Sequence, residues 1–199
     1  MSLDFTHDFG DTNGPVPAHR HHNPDGSPGG WIANTAKVAT TVYVGKLAQV
    51  FGNAIVSDYA QILGHGQVFG EAIVDSQAIV NDSAEVCDDA RITKIAKVRA
   101  CACVCEHAIV TDSSEVFGNA KIFGNAKVSQ YARVGGRVKV YDYAEVLGNS
   151  IVDDEEMVFD YMRINRNGRS HSSLKHNATP ATSFAQAIIN LQNLDQTIG

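Results

Sequence analysis

The chain has 199 residues, 44% of them hydrophobic, and its 16 Lys and Arg against 22 Asp and Glu give a net charge of −6. That length fits one domain, or one domain with appendages, and the negative balance gives no general attraction to phosphate, so nucleic acid is not an expected partner. No apolar run reaches membrane-spanning length and no charged start leads into an apolar signal segment, so a membrane is not expected either, and the expected location is the cytoplasm or a particle assembled there.

Residues 1–30 are of a different material from the rest. They hold four of the five prolines (Pro15, Pro17, Pro24, Pro28), many Gly, Asn and Asp, and four histidines (His7, His19, His21, His22). Asn23-Pro24-Asp25-Gly26 is a turn signal, because proline fixes one dihedral and glycine permits a positive one. The expectation for this segment is an N-terminal arm, extended along some surface or disordered.

From 31 to 153 one code repeats. The 20 positions at six-residue spacing from Val38 to Val152 are all Val or Ile, and two residues before each lies a small side chain, Ala in 15 of the 20. The hexapeptide Phe-Gly-Asn-Ala-Lys-Ile/Val is written twice without a break across residues 117–128, and no insertion disturbs the count. A small and an aliphatic residue two apart is the alternation of a short strand. Pairs such as Gly52-Asn53, Gly64-His65 and Asp58-Tyr59 follow it and tolerate turn or left-handed conformations. A helix drifts out of phase with a six-residue period, and an antiparallel meander does not keep one uniform inward code. Stacked parallel coils do, each covering the apolar edge of the next.

This pattern resembles the hexapeptide-repeat family, the left-handed parallel β-helix in which three hexapeptides make a triangular coil of about 18 residues. In that family glycine usually follows the aliphatic residue directly. Here it sits one place later, as in Val50-Phe51-Gly52-Asn53-Ala54, and Trp31 stands just before the first coil. That variant is more similar to the YdcK-like β-solenoids of bacteria and phages, which are often labelled transferases on fold grounds alone. The resemblance implies an all-β, left-handed solenoid of about seven coils. It is specific for fold and weakly specific for activity.

Residues about 18 apart should stack on one face about 4.8 Å apart. The residue after the aliphatic then reads Phe51, Phe69, Cys87, Cys105, Phe123, Tyr141 on one face, an exposed ladder of aromatics and thiols. The same column reads Ser57, Asp75, Thr93, Thr111, Ser129, Leu147 on the second face and Leu63, Asn81, Arg99, Phe117, Gly135, Asp153 on the third, both largely polar. A contiguous apolar patch marks an interface, here with further copies of the chain (a homotrimer first), with another protein, or with the chain's own ends.

After Val152 the code stops. Residues 154–178 read as a capping strand, alternating at Met157, Phe159 and Tyr161, followed by a polar linker. Thr179-Pro180 opens a C-terminal α-helix over 179–199, with Phe184, Ile188 and Leu191 on the face it must bury, against the open end of the solenoid or along the ladder.

Candidate chemistry is sparse. Cys103 and Cys105 point outward, and Cys87 lies one coil below Cys105, close enough for a metal or a disulfide. Against this, a small thiol also serves as apolar surface, and a flat strand does not wrap an ion. His19, His21 and His22 offer a weak metal or anion site in the arm. The resemblance implies two further readings. In hexapeptide acyltransferases a His near an inter-subunit cleft takes a proton from the acceptor while acyl-CoA lies along the coils, which makes His65, His107, His171 and His176 candidates. In γ-class carbonic anhydrases His residues from neighbouring subunits bind a metal. His65 and His107 fall on different corners, about 10 Å apart along the axis, which disfavours a joint site. With no converging titratable groups in the repeat, no cofactor is expected, and the leading expectation is a structural or binding module.

Overall fold

A computed structural model describes residues 5–169. It is an all-β solenoid in which the chain returns to the same face every third hexapeptide. Val50 pairs with Val68, Val86 with Val104, Val104 with Ile122 and Ile122 with Val140, all parallel. The first face runs from Pro28–Ala33 through Gln49–Val50 to Met157–Val158. That is about eight turns, six rungs on this face from Gln49–Val50 to Lys139–Val140 and one more from each of the strands at 28–33 and 157–158, where the repeat alone suggests seven. The second and third faces are joined at the top by the long strand Glu145–Val152, which spans both.

The inward code does what its period requires. The aliphatic column is buried almost throughout, and the small column packs beside it in one continuous core. Where the small residue is serine, its hydroxyl is satisfied locally: Ser114 donates to the Thr111 carbonyl and Ser150 to the Leu147 carbonyl, both at 2.6 Å.

From Gly52 onward each corner depends on one residue. At every sixth position from Gly52 to Asp160 the backbone is left-handed, with φ between 55° and 73° over 19 consecutive corners. Seven are glycine and seven are aspartate; the others are Ser76, Lys94, Ala100, Glu106 and Gln130. A non-glycine residue there costs about 1 kcal/mol or more. The polar ones offset it. Asp58 accepts from the Ser76 N–H, Asp82 from Ala100, Asp88 from Glu106 and Asp112 from Gln130, each on the corner one coil above. Glu106 and Gln130 continue the same ladder to Gly124 and Gly148.

Outward side chains also bond from rung to rung. On the third face the Phe117 ring lies between the guanidinium groups of Arg99 and Arg133, 5.1 and 5.2 Å from its centroid. Glu115 accepts from both arginines. Burial favours its neutral form, but the two guanidinium groups win and hold its carboxyl below the usual range. Gly135 makes room for the ring, since a Cβ there would stand 2.3 Å from it.

The segment expected to be an extended arm folds from Phe5 as an antiparallel meander: β1 (Phe5–His7), β2 (Val16–His22) and β3 (Pro28–Ala33) add to the first face. Asn23 and Gly26 close the turn between β2 and β3. Gly30 lets β3 come against the first coil, where a Cβ would fall 2.0 Å from the Ala48 carbonyl oxygen. The meander also closes the exposed edge of the third face. The Asn23 side chain accepts from Val44 N–H and donates to the Val44 carbonyl, while His21 Nε2–H donates to the Val42 carbonyl. At the other end the strand Arg163–Arg169 pairs along Glu145–Ile151 where a polar linker was expected. The expected helix over 179–199 lies outside the described residues, and among those described no helix is long and apolar enough to cross a membrane.

Two predictions follow from packing and charge. Val98 is fully buried, and Val98→Asp would place an unpaired carboxylate in the core at a cost of several kcal/mol, comparable to the stability of a domain. Circular dichroism should show no folded protein. In the meander, burial holds His21 below the ordinary histidine value, as burial and then Arg20 do for His7. The unfolded chain therefore binds more protons below about pH 6.5, so the stability these groups contribute is present above that pH and lost as pH falls. Hydrogen exchange over residues 5–33 should accelerate relative to the central coils between about pH 7 and about pH 5, after correction for intrinsic rates; equal protection at both would contradict the assignment.

Candidate functional site: the aromatic and thiol column

The column on the first face stacks in register. Phe51 and Phe69 lie 4.8 Å apart with planes 4° from parallel, and Phe123 and Tyr141 are 5.0 Å apart at 3°. The stack is longer than the sequence suggests. Phe9 of the meander lies on Phe51 at 4.8 Å, over the small residues Ala18 and Ala33, and Phe159 lies on Tyr141 at 5.6 Å. Phe159 was legible, being 18 residues beyond Tyr141, whereas Phe9 was not, because no repeat reaches it.

The column is also less exposed than its outward position suggests. Phe51 is 5% and Cys87 8% exposed, and Phe69, Cys105, Phe123 and Tyr141 are half-buried. Each ring covers its neighbour, and Phe9 closes the lower end. The strongly exposed rings stand one place past the corner instead. Tyr143, 55% exposed, stacks on Tyr161, 81% exposed, beside the upper end of the column. On another corner Tyr59, Ile95 and Tyr131 are exposed. Extending the 18-residue count to the post-corner position finds the first pair.

Two rungs of the column carry thiols instead of rings, Cys87 and Cys105, between Phe69 and Phe123. Cys103 stands beside them in the neighbouring outward column, in register with Glu85 below and Lys121 above. The Sγ atoms of Cys87, Cys103 and Cys105 all lie within 4.8 Å of one another, and none of the three is in a disulfide. Cys101 is free and exposed, outside this group. Contact among the thiols splits their acidities. The thiols of Cys105 and then Cys87 beside it, with Lys121, hold the Cys103 thiol far below the ordinary range, while the Cys87 S–H donates to Asp88 Oδ2 at 3.9 Å. Contact with Cys103 pushes Cys87 and Cys105 up.

The histidines do not converge. His65 is exposed at one corner; His107 is exposed at another, with Nδ1 3.5 Å from Asp89 Oδ2. In the meander His19 Nδ1 contacts Asn34 Oδ1 at 2.9 Å, His21 is buried against Val42, and His22 is exposed. Among the described residues, the thiols are the only group of three or more potential ligands found together. His171, His176, Phe184, Ile188 and Leu191 lie outside the described residues. A shallow groove lined by Lys94, Ile95, Asp112, Ser113, Gln130 and Tyr131 crosses the second corner, where Lys94 and Asp112 pair at 2.6 Å.

No protein-family model, no curated protein and no solved structure matches the chain.

The thiolate is the nucleophile, so the acidity order predicts a labelling order. Near pH 6 iodoacetamide should modify Cys103 ahead of Cys105 and Cys87, read by peptide mass spectrometry. Between about pH 6 and about pH 8 the Cys103 rate should stay nearly flat while the Cys105 rate rises roughly tenfold per unit. A Cys103 rate that climbs in parallel with that of Cys105 would contradict the arrangement.

Proposed function

We propose that the chain is a structural module, a rigid solenoid that assembles with copies of itself through the aromatic corner at the upper end of its first face. The observation that carries this reading is the exposed Tyr143–Tyr161 stack, continuous with the half-buried rings of Phe123, Tyr141 and Phe159. Aromatic rings left in water beside other rings form the kind of patch that interfaces cover. Cross-rung side-chain bonds hold the rods' surfaces fixed, so a docking face loses little conformational entropy on assembly. The likeness of the six-residue code to hexapeptide repeats supports left-handed winding and three copies side by side. In this reading Phe184, Ile188 and Leu191 add apolar area to the same contact, while the lower column, from Phe51 to Phe69, is covered by the chain's own meander. Acyl transfer from acyl-CoA, or a His-ligated metal shared between chains, has the resemblance alone behind it.

Tyr161 is exposed enough that Tyr161→Asp should leave the fold intact. Light scattering should give a multiple of 21.4 kDa for the unaltered chain and a single chain mass for the variant, with the same circular dichroism. A variant that keeps the multiple mass, or an unaltered chain that stays monomeric at every concentration, would overturn the reading.

A further inference from the structure

We propose that Cys87, Cys103 and Cys105 form a tripodal thiolate site for one thiophilic d10 metal ion, Cu(I) or Zn(II). The site is independent of the docking reading and uses only this chain's residues.

Distance comes first. Three points no more than 4.8 Å apart share a centre no more than about 2.8 Å from each, and a zinc–sulfur bond is about 2.3 Å. Small side-chain rotations close that difference without backbone movement. The β-solenoid supplies the rest of the geometry. Cys103 and Cys105 are two apart on one strand and so share its outer side, and Cys87 lies in register on the strand below. A flat strand pair does not surround an ion, but it does present three donors to one side of it.

Residue choice is the second ground. The outward column that holds Cys103 is otherwise polar or charged around it: Gln49, Gln67, Glu85, then Lys121 and Lys139. A thiol there replaces no ring and fills no core, so small apolar packing does not account for it. In the adjacent column the two thiols stand where the other rungs from Phe51 to Phe159 carry rings. Soft sulfur donors select Cu(I) and Zn(II) over hard cations. Lys121 in register above Cys103 offsets the negative charge of the assembled thiolates. Asp88 borders the site: its Oδ2 accepts from the Glu106 N–H and lies 3.9 Å from Cys87 Sγ. Cys103 and Cys105 are half-exposed, so the outer side of the tripod is open. Cu(I) is complete there with three sulfurs, and Zn(II) adds one solvent or exogenous ligand. Binding is coordination without electron transfer, and each protonated thiol that ligates gives its proton to the buffer.

The test uses the full chain, reduced and kept under argon. Cd(II) serves as an optical stand-in for Zn(II), and Cu(I) is delivered from a chromogenic chelator. One ion per chain is expected, with a thiolate-to-cadmium charge-transfer band. Cys87→Ser, Cys103→Ser and Cys105→Ser should each weaken binding by at least about 100-fold, the upper end of what loss of a ligand's outer partner causes. Cys101→Ser should change nothing. Competition between Zn(II) and Cu(I) then ranks the two ions at the site. Cys103 is half-exposed, so Cys103→Ser should keep the circular dichroism of the parent even if a change at the buried Cys87 unfolds the chain. No charge-transfer band, a band that survives Cys103→Ser, or one lost with Cys101→Ser would overturn the proposal.

Discussion

A chain that turns a corner every sixth residue needs a compact reversal each time, and from Gly52 to Asp160 every corner makes it with one left-handed residue, whereas the first corners, at 34–35, 40–41 and 46–47, turn without one. The rest of the structure depends on that rhythm. With one reversal per six residues, strands stay short, the inward positions always fall two apart, and three sides bring the chain back over its starting point. Glycine meets the requirement by lacking a Cβ; aspartate meets it by capping the N–H of the corner above. The corner carboxylates therefore act along the axis, tying successive coils beside the backbone bonds that run through the same corners, such as Tyr59 N–H to the Ser76 carbonyl.

The inside of this protein was legible in its sequence because the inward code is one-dimensional. An uninterrupted column of Val and Ile with Ala two places earlier admits one arrangement of stacked coils, and the registers of Val50 with Val68 and Ile122 with Val140 follow by counting. The outside was less legible. Position says that Phe51 points away from the core, yet it is buried, because Phe9 and Phe69 sandwich it. Exposure of an outward side chain depends on its neighbours above and below, which a single column shows only if the ends of the stack are known. The N-terminal segment was misleading for a related reason. Its Gly and Pro content reads as loop, whereas Gly30 is there because β3 passes too close to Ala48 for any side chain. The turn at Asn23 was readable; the use of the Asn23 side chain to close a strand edge was not, since that partner is 21 residues away.

The candidate site shows the same division. That Cys87 and Cys105 would be neighbours followed from the count, and so did the outward direction of Cys103. Their mutual distances and the separation of their acidities depend on rotamers and on Lys121 above, which spacing alone does not fix. A solenoid turns a sequence interval into a spatial one, so like groups placed 18 residues apart become stacks: rings on rings, carboxylates under amides, thiols beside thiols. Chemistry in such a molecule is written on its columns and not in a cleft.

Register also makes the rod's length a discrete quantity. Losing or gaining one residue would throw every later side chain onto the wrong side of the wall, while losing or gaining a whole turn leaves each column intact and changes the span by about 4.8 Å. The tandem copies at 117–122 and 123–128 are each a third of such a turn. A molecule built this way measures distance in fixed increments, and its reach can be reset by duplication without redesigning a single contact.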